Sequence, residues 1–199
     1  MCNLYELYVT GMNNIFGKSL GDVMNLPQDE VYPGYPGIVQ KADGKLAKMT
    51  WGFPLVLKGK SGQPLKPKPV NNARTDKLDS FMWRDSFQNR RCLIPVSRFA
   101  EAEGPKGSMT RTWFSLPGDG PFSIAGIWRD SPEWGPVYSM VMTESAGVVR
   151  EVHNRMPVIL APDQRDTWLH SVTVDALEMC KPFDGPISID RTIDLWSKR

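Results

Sequence analysis

Cys2 is the residue whose position suggests a covalent reaction. An initiator methionine in front of a small residue is normally removed, so we expect the mature chain to begin at Cys2. A free α-amine, with a pKa of about 7.7–8.0, would then lie beside a thiol with a pKa of about 8.5. The amine can act as general base for the thiol, or it can condense with an aldehyde so that the thiol closes a thiazolidine ring. The alternative is an ordinary cysteine, partly buried where the first strand begins.

A second polar group lies at residues 69–76, with the sequence Pro-Val-Asn-Asn-Ala-Arg-Thr-Asp. Two asparagines after a proline-rich stretch favour a turn, because asparagine hydrogen-bonds its own backbone and tolerates the left-handed conformation. Arg74 is the residue type that clamps a phosphate through two parallel hydrogen bonds. The alternative is a capped turn that leads into a helix after Asp79.

Glu101 lies in the segment Phe-Ala-Glu-Ala-Glu (residues 99–103), which is typical of a short strand. Alternate residues of a strand share a face, so Glu101 points inward if Phe99 does. A buried carboxyl has a raised pKa, as a catalytic acid or base requires. If Phe99 is instead exposed, Glu101 and Glu103 are both solvated.

Of the two histidines, His153 is better placed for proton transfer. It lies shortly before Pro157 and a buried strand-like run, a position that favours a rigid loop. Histidine titrates near neutral pH and is therefore a natural proton shuttle. His170 lies at the end of a predicted helix, where interaction with the helix carboxyl end is expected. A structural role for His153 is the alternative.

The charge of the chain is concentrated in its middle. Residues 58–111 carry twelve Lys or Arg and five Asp or Glu, a net charge of +7, whereas residues 162–199 have a net charge of −2. A basic segment of this kind suits a polyanion, although a solvated lysine-rich surface is the alternative. Trp51, near this segment, could stack on an unpaired base or pack in the core.

Composition limits the class of protein. The chain has 199 residues, 41% hydrophobic and 23% charged, with 17 prolines and 17 glycines, which predicts one domain (residues 1–199) of short elements. No apolar run is long enough for a membrane helix, and the first basic residue is Lys18, so we expect a cytoplasmic protein without a secretory signal. Three scattered cysteines argue against disulfides and zinc, and we expect no metal or cofactor. Walker, GxGxxG and HExxH motifs are absent from the sequence.

Hydrophobic alternation predicts mostly strands. The Ala-Asp-Gly sequence at 42–44 predicts a hairpin, and the basic, proline-broken segment 58–70 predicts a loop. The predicted strands are 2–9, 38–40, 46–51, 92–96, 99–103, 110–116, 122–128, 137–143 and 156–160, and the predicted helices are 12–24, 78–89 and 162–170, with a helix end at 148–153. We therefore expect an α+β fold, strand-rich, with a barrel-like, strongly curved sheet.

Several motifs occur together in an order that resembles one family. These are Met-Cys at the start, Asn-Ala-Arg at 72–74, Cys-Leu-Ile-Pro running into Phe-Ala-Glu at 92–101, Ala-Gly-Ile-Trp at 125–128 and His-Asn-Arg-Met-Pro-Val-Ile-Leu at 153–160. The series, from residue 1 to about residue 168, resembles the SOS-response-associated peptidase (SRAP) family. The resemblance implies binding of single-stranded DNA and covalent capture of abasic sites as a thiazolidine.

The resemblance also implies roles for individual residues. Cys2 would be the nucleophile, Asn72 would hold and polarise the reacting centre, Glu101 would assist opening of the deoxyribose ring, and His153 would shuttle protons. Arg74 and Arg155 would bind phosphates. The expected partner is single-stranded DNA with abasic sites, bound by a cytoplasmic, nucleoid-associated monomer.

Two departures from the family pattern concern DNA binding. The family commonly begins Met-Cys-Gly-Arg-Phe, whereas this chain begins Met-Cys-Asn-Leu-Tyr, and the tryptophans common before the Asn-Ala-Arg motif are replaced by Leu-Val-Leu at 55–57. We therefore expect DNA binding to depend more on electrostatic attraction, and to be more sensitive to salt, than in those family members. The lysines expected to supply this attraction are Lys58, Lys60, Lys66 and Lys68.

Two other functions stay open at this point. One is a cysteine-type peptidase or amidase with the same terminal nucleophile, including the case in which its activity is limited to removal of Met1. The other is a non-covalent single-stranded-DNA-binding module in which Cys2 is inert.

Overall fold

The structure is a computed structural model that describes residues 2–7, 29–118 and 120–196. The described strands are β1 (Leu4–Glu6), β2 (Glu30–Val31), β3 (Pro36–Lys41), β4 (Leu46–Trp51), β5 (Phe53–Leu55), β6 (Lys68–Val70), β7 (Asn72–Arg74), β8 (Arg91–Val96), β9 (Arg98–Glu103), β10 (Thr110–Ser115), β11 (Phe122–Ser131), β12 (Gly135–Glu144), β13 (Arg155–Pro157), β14 (Ile159–Leu160) and β15 (Ser188–Leu195). The described α-helices are α1 (Arg84–Asn89), α2 (Arg165–His170) and α3 (Thr173–Glu178). Short 3-10 turns cover Thr75–Lys77, Gly147–Glu151 and Pro162–Gln164.

Five strands close into a barrel. Strand β12 pairs with β4, β4 with β3, β3 with β8, β8 with β11, and β11 returns to β12. All of these pairings are antiparallel except β4 with β12. The core lies inside this ring, where the largest buried side chains include Trp51 and Tyr138. The expected α+β, strand-rich, barrel-like fold is confirmed.

A second, antiparallel sheet carries the amino-terminal segment. Its strand order is β15, β10, β9, β1, β2, and Leu4 of β1 lies opposite Ala100 of β9. The chain passes from the barrel strand β8 into β9 at Ser97, whose backbone N–H donates to the Glu6 carbonyl at 2.8 Å. This pairing places the amino-terminal segment beside the strand that contains Glu101.

The strand predictions for 92–96, 99–103, 110–116, 122–128 and 137–143 are confirmed, as is the hairpin at 42–44. The turn of that hairpin places Gly44 at φ 75°, in the region that favours glycine. The predicted strand at 156–160 is present as two shorter strands, β13 and β14, and the predicted helix at 162–170 begins as a 3-10 turn before α2.

Other local predictions are wrong. The helix expected at 78–89 begins only at Arg84, because the preceding segment forms turns in which the Ser80 carbonyl accepts the N–H groups of Trp83 and Arg84. Phe81 consequently projects into solvent with 96% of its surface exposed, whereas Phe87 is buried. The loop expected at 58–70 ends in strand β6, which pairs with β5.

The turn expected at the two asparagines is also wrong, because Asn72 already begins β7 and pairs with Met140 of β12. The helix predicted at 12–24 and the end of the strand predicted at 2–9 lie outside the described residues. Among the helices of the described segments, none combines the length and apolar character needed to cross a membrane.

Candidate functional site

The backbone of Cys2 is held by two neighbouring asparagines. The Cys2 carbonyl accepts hydrogen bonds from Asn71 Nδ2 at 2.9 Å and from Asn72 Nδ2 at 2.8 Å. Asn71 Nδ2 also donates to Asn3 Oδ1 at 3.0 Å. Both amides are buried, so they act in surroundings where hydrogen bonds are stronger than in water. Residues 2 and 3 therefore have a defined position and orientation.

Strand pairing positions these asparagines. Asn72 lies opposite Met140 in the parallel pairing of β7 with β12, and the Met140 N–H donates to the Asn71 carbonyl at 3.0 Å. Trp51 Nε1 donates to the same Asn71 carbonyl at 3.1 Å. The buried Asn72 Oδ1 accepts no hydrogen bond from the described part of the chain, so it is available to a donor at the reacting centre.

The prediction that Trp51 stacks on DNA is wrong. Trp51 is 0% exposed, and its ring packs edge-on against Tyr5 with centroids 5.1 Å apart. Since a base can stack only on an accessible ring face, this tryptophan cannot contact a nucleotide in this structure. It supports the Asn71 backbone instead.

Glu101 is buried on strand β9. It is 2% exposed and lies on the same face as Phe99, which is 1% exposed, so the inward orientation expected from the alternation is confirmed. Burial removes water that would stabilise the carboxylate, and this raises the pKa of Glu101 to about 7. The carboxyl is therefore about half protonated at neutral pH, so it can both donate and accept a proton.

His153 faces Glu101. Its Nδ1 lies 3.9 Å from Glu101 Oε1 and 3.1 Å from both the N–H and the carbonyl oxygen of Arg155. Neutral Nδ1 can accept the Arg155 N–H, whereas protonated Nδ1 can donate to the Arg155 carbonyl, so both protonation states have a partner. Partial burial lowers the pKa of His153, which keeps the ring neutral at pH 7.

The Cys2 thiol is fully buried. Its Sγ lies 3.5 Å from the Leu4 carbonyl, and burial raises its pKa, with the negative charge of Glu101 adding to the effect. The thiol is therefore protonated at neutral pH. Because Glu101 influences the Cys2 thiol and lies beside His153, and Asn72 bonds the Cys2 carbonyl, the structure brings the four expected catalytic residues together.

Two buried tyrosines, one from each of the two larger sheets, contact each other. The hydroxyl groups of Tyr5 and Tyr138 are hydrogen-bonded to each other at 2.5 Å, and burial raises the pKa of both. A Cβ atom at Gly37 would overlap both hydroxyl oxygens, so only glycine leaves room for the pair. Tyr5 also belongs to the strand that follows Cys2, so the pair anchors the amino-terminal segment.

The two arginines expected to bind phosphate lie on either side of one carboxylate. Arg74 donates from Nε and Nη2 to the two oxygens of Asp76, at 2.9 and 2.6 Å. Arg155 Nη1 lies 3.5 Å from Asp76 Oδ1. The pairings of β7 and β13 with opposite edges of β12 bring these side chains together. Asp76 therefore occupies the position in which an anion would meet both guanidinium groups.

The four expected lysines are exposed on a β-ribbon, residues 53–70, which we call the lysine ribbon. Strands β5 and β6 pair within it, and Lys58 forms a bridge with Pro64. The segment 56–70 contains four lysines and no acidic residue, and it ends directly before Asn71. The ribbon is thus a positively charged arm attached to the edge of the site.

Sequence reasoning did not assign a role to Asn71, Asp76 or the Tyr5–Tyr138 pair. Asn71 and Asp76 are within the motif already identified, and their polar type next to Asn72 and Arg74 was a usable signal. Tyr5 and Tyr138 are 133 residues apart, so only the fold shows that they meet. Within the described segments, no three His, Cys, Asp or Glu side chains are grouped as metal ligands.

Comparison with known proteins shows the family. The family model described as SOS response associated peptidase (SRAP) matches residues 13–191. The abasic site processing protein YoqW of Bacillus subtilis is 26% identical over 179 residues, covering 80% of this chain and 78% of the relative. The abasic site processing protein YoaM of the same organism is 25% identical over 203 residues, covering 93% of this chain and 87% of the relative.

Solved structures agree in fold. A Bordetella bronchiseptica protein has a TM-score of 0.77 at 19% identity, covering 96% of this chain and 99% of that one. A Bacteroides thetaiotaomicron protein has a TM-score of 0.74 at 17% identity, covering 96% and 91%. Since the family model spans most of the sequence, the chain belongs to the SOS response associated peptidase family.

Proposed function

We propose that this protein processes abasic sites in single-stranded DNA by forming a thiazolidine crosslink through Cys2 once Met1 has been removed. The observation that carries the proposal is the grouping of a clamped Cys2 with the buried Glu101 carboxyl, whose pKa is raised by burial, and with His153, 3.9 Å from that carboxyl. The relatives named as abasic site processing proteins support it. DNA is the substrate, and the reaction belongs to a DNA-damage response.

The reaction needs no oxidant or cofactor. The α-amine of Cys2 adds to the aldehyde of the ring-opened deoxyribose, and loss of one water gives an imine. The thiol sulfur then adds to the imine carbon while its proton passes to the nitrogen. One C–N bond and one C–S bond form, and the product is a five-membered ring. Because burial keeps the thiol protonated, the amine reacts first.

Glu101 and His153 supply the proton transfers. An abasic sugar is mostly a closed hemiacetal, so its aldehyde must be released before the amine can attack. Protonated Glu101 donates a proton to the ring oxygen as the ring opens. Neutral His153 accepts the proton of the hydroxyl group on the anomeric carbon, which becomes the aldehyde carbon. The unusual order of their pKa values, with the carboxyl raised and the imidazole lowered, makes this division of roles available at neutral pH.

Asn72 holds the nucleophile in place. Its Nδ2 fixes the Cys2 carbonyl, and its Oδ1 is free to accept a hydrogen bond from the α-amine of the processed chain. Such an acceptor directs the amine lone pair without adding a charge. Pre-positioning of this kind lowers the entropic cost of bringing the amine and the aldehyde together.

DNA binding is assigned to the two arginines and the lysine ribbon. A backbone phosphate replaces Asp76 between Arg74 and Arg155, because a phosphate offers the same paired oxygens with more negative charge. The ribbon leads directly to Asn71, so a strand that reaches Cys2 passes beside its lysines. Binding should therefore weaken steeply with salt.

A cysteine peptidase is the less favoured function. An attacking thiolate requires a lowered pKa or an adjacent base, whereas burial and the Glu101 charge raise the pKa of Cys2. A non-covalent binding module gives no reason for burying Glu101 beside His153. Because burial of a carboxyl costs folding free energy, this function is also less favoured.

The test is incubation of the purified protein with single-stranded DNA containing one abasic site. We expect an SDS-resistant band, and an intact mass equal to the chain lacking Met1 plus the DNA minus one water. Cys2→Ala should lose the band, and Cys180→Ala, which changes a partly buried cysteine outside the site, should keep it. Retention of Met1 in crosslinking-competent protein, or a band with Cys2→Ala, would contradict the proposal.

A further inference from the structure

A pocket of about 330 Å³ lies beside the clamped amino-terminal segment. Its lining includes Asn3, Asn71, Tyr32, Pro33 and Trp196. Asn3 and Asn71 directly adjoin Cys2 and Asn72 in the sequence, so the pocket is next to the reacting centre. Its volume lies within the range of about 300–1,000 Å³ that is usual for small-ligand pockets.

Two amides provide polar groups at this pocket. Asn71 uses both of its amide hydrogens on Cys2 O and Asn3 Oδ1, which leaves Asn71 Oδ1 as a hydrogen-bond acceptor. Asn3 Oδ1 is occupied by the same contact, and within the described part of the chain Asn3 Nδ2 makes no hydrogen bond. An acceptor on one asparagine and a donor on its neighbour are therefore available side by side.

Two aromatic side chains contribute to the walls. The Tyr32 hydroxyl donates to Glu30 and accepts from Arg111 Nη2 at 3.1 Å, which fixes the ring. The backbone N–H of Trp196 donates to the Met109 carbonyl at 2.9 Å, and the side chains of Tyr32 and Trp196 both pack on the small cluster that contains Leu4. Hydrogen bonds therefore fix the Tyr32 wall of the pocket, and packing supports the Trp196 wall.

We propose that this pocket binds the nucleobase of the nucleotide next to the abasic site, a proposal that rests on the proposed function. A base has flat faces that stack on aromatic rings, and an edge on which donors and acceptors alternate. The pocket offers aromatic walls and an amide acceptor–donor pair, which match both features.

Base binding here would assist the reaction by holding the strand. The abasic nucleotide has no base of its own that the protein can bind, so the base of a neighbouring nucleotide is needed to fix the position of the sugar. With that base in the pocket, the aldehyde is held near the Cys2 amine. The neighbouring base should therefore affect the crosslinking rate, not only the affinity.

The experiment measures initial crosslinking rates below saturation on four oligonucleotides with one abasic site. The nucleotide on the 5′ or the 3′ side carries either adenine or no base, the latter as a tetrahydrofuran analogue that cannot open to an aldehyde. For each side, the rate with the base is divided by the rate with the analogue. We expect a ratio of about ten on one side and about one on the other.

Asn3→Ala and Trp196→Ala should each move the higher ratio toward one, while Phe81→Ala, which removes an exposed aromatic ring that does not line the pocket, should keep it. Asn3 is exposed, so its substitution should leave the fold intact. The Asn3 variant therefore still tests the proposal if the Trp196 variant does not fold. A ratio of one on both sides in the unaltered protein, or an unchanged ratio in both pocket variants, would overturn this inference alone. Absence of any adduct would instead contradict the proposed function.

Discussion

Replacing Glu101 by glutamine removes a titrating acid while keeping the size of the side chain. With a pKa of about 7, this carboxyl is about 90% protonated at pH 6 and about 10% protonated at pH 8. If the protonated form donates to the sugar, the contribution of Glu101 to the crosslinking rate falls about tenfold between these pH values. A positioned acid contributes about 10²–10⁴-fold, so Glu101→Gln should lose at least about 100-fold at pH 6.

The assay is the rate of SDS-resistant adduct formation from pH 5.5 to 8.5, for the unaltered protein and for Glu101→Gln. The rate of the unaltered protein divided by the rate of Glu101→Gln reports the contribution of Glu101, because titration of the Cys2 α-amine affects both rates and cancels in the ratio. A ratio that falls about tenfold from pH 6 to pH 8 fits a pKa near 7, whereas an ordinary carboxyl would give a fall of about 100-fold. A ratio that stays level or rises with pH would refute the role of Glu101 as an acid.

The remaining predictions concern stability and DNA binding. The pKa of Glu101 is higher in the folded protein than its unfolded value of 4.5, so the protein loses stability as the pH rises from about 4.5 through 7. By pH 8 this loss amounts to about 3 kcal/mol of the free energy of unfolding. In urea unfolding, Glu101→Gln should therefore be more stable than the unaltered protein at pH 8 but not at pH 4.5. Asp76→Asn frees the two arginines and should lower the Kd for single-stranded DNA about three- to tenfold, an effect that the exposed control Asp163→Asn should lack in fluorescence anisotropy. Gly37→Ala should destabilise the fold by about 1–3 kcal/mol through overlap with the tyrosine hydroxyls, whereas Gly120→Ala, which has room, should leave the Tm unchanged; equal effects would contradict the packing argument. Changing the four lysines of the ribbon to glutamine should reduce the slope of log K against log salt by up to about 3, and an unchanged slope would remove the ribbon from the DNA path.

The local alternation of hydrophobic residues predicted the five central strands correctly. Each of the five central strands alternates or contains branched and aromatic residues, and these preferences agree with the pairing that the barrel imposes. The prediction failed where pairing overrode local preference. Asn72 favours a turn by type, yet it lies in a strand because β12 offers backbone partners beyond the short stretch that pairs with β4. Residues 78–83 have an apolar pattern suited to a helix, but Ser80 and its neighbours form turns first.

Trp51 shows why a surface role is hard to read from sequence. A tryptophan beside a basic segment is compatible with both DNA stacking and core packing, and only the closed barrel shows that its ring is enclosed between Tyr5 and Tyr138. The pairing of Arg74 with Asp76 illustrates the same limit. Residue type indicated an anion site, but the carboxylate that occupies it became evident only from the geometry.

The sequence by itself determined which reactive residue types are present and where they lie along the chain: a cysteine at position 2, a glutamate in an alternating strand-like segment, a histidine shortly before Pro157 and a basic stretch. These depend on residue type and short-range periodicity, which are local properties. Tertiary structure alone decided that Glu101 and His153 lie 3.9 Å apart, that the charge of Glu101 acts on the Cys2 thiol, and that burial raises the pKa of Glu101 and lowers that of His153. Proximity across some 50 to 150 residues and exclusion of water both arise from closing the barrel and pairing β1 with β9, and no local pattern encodes either.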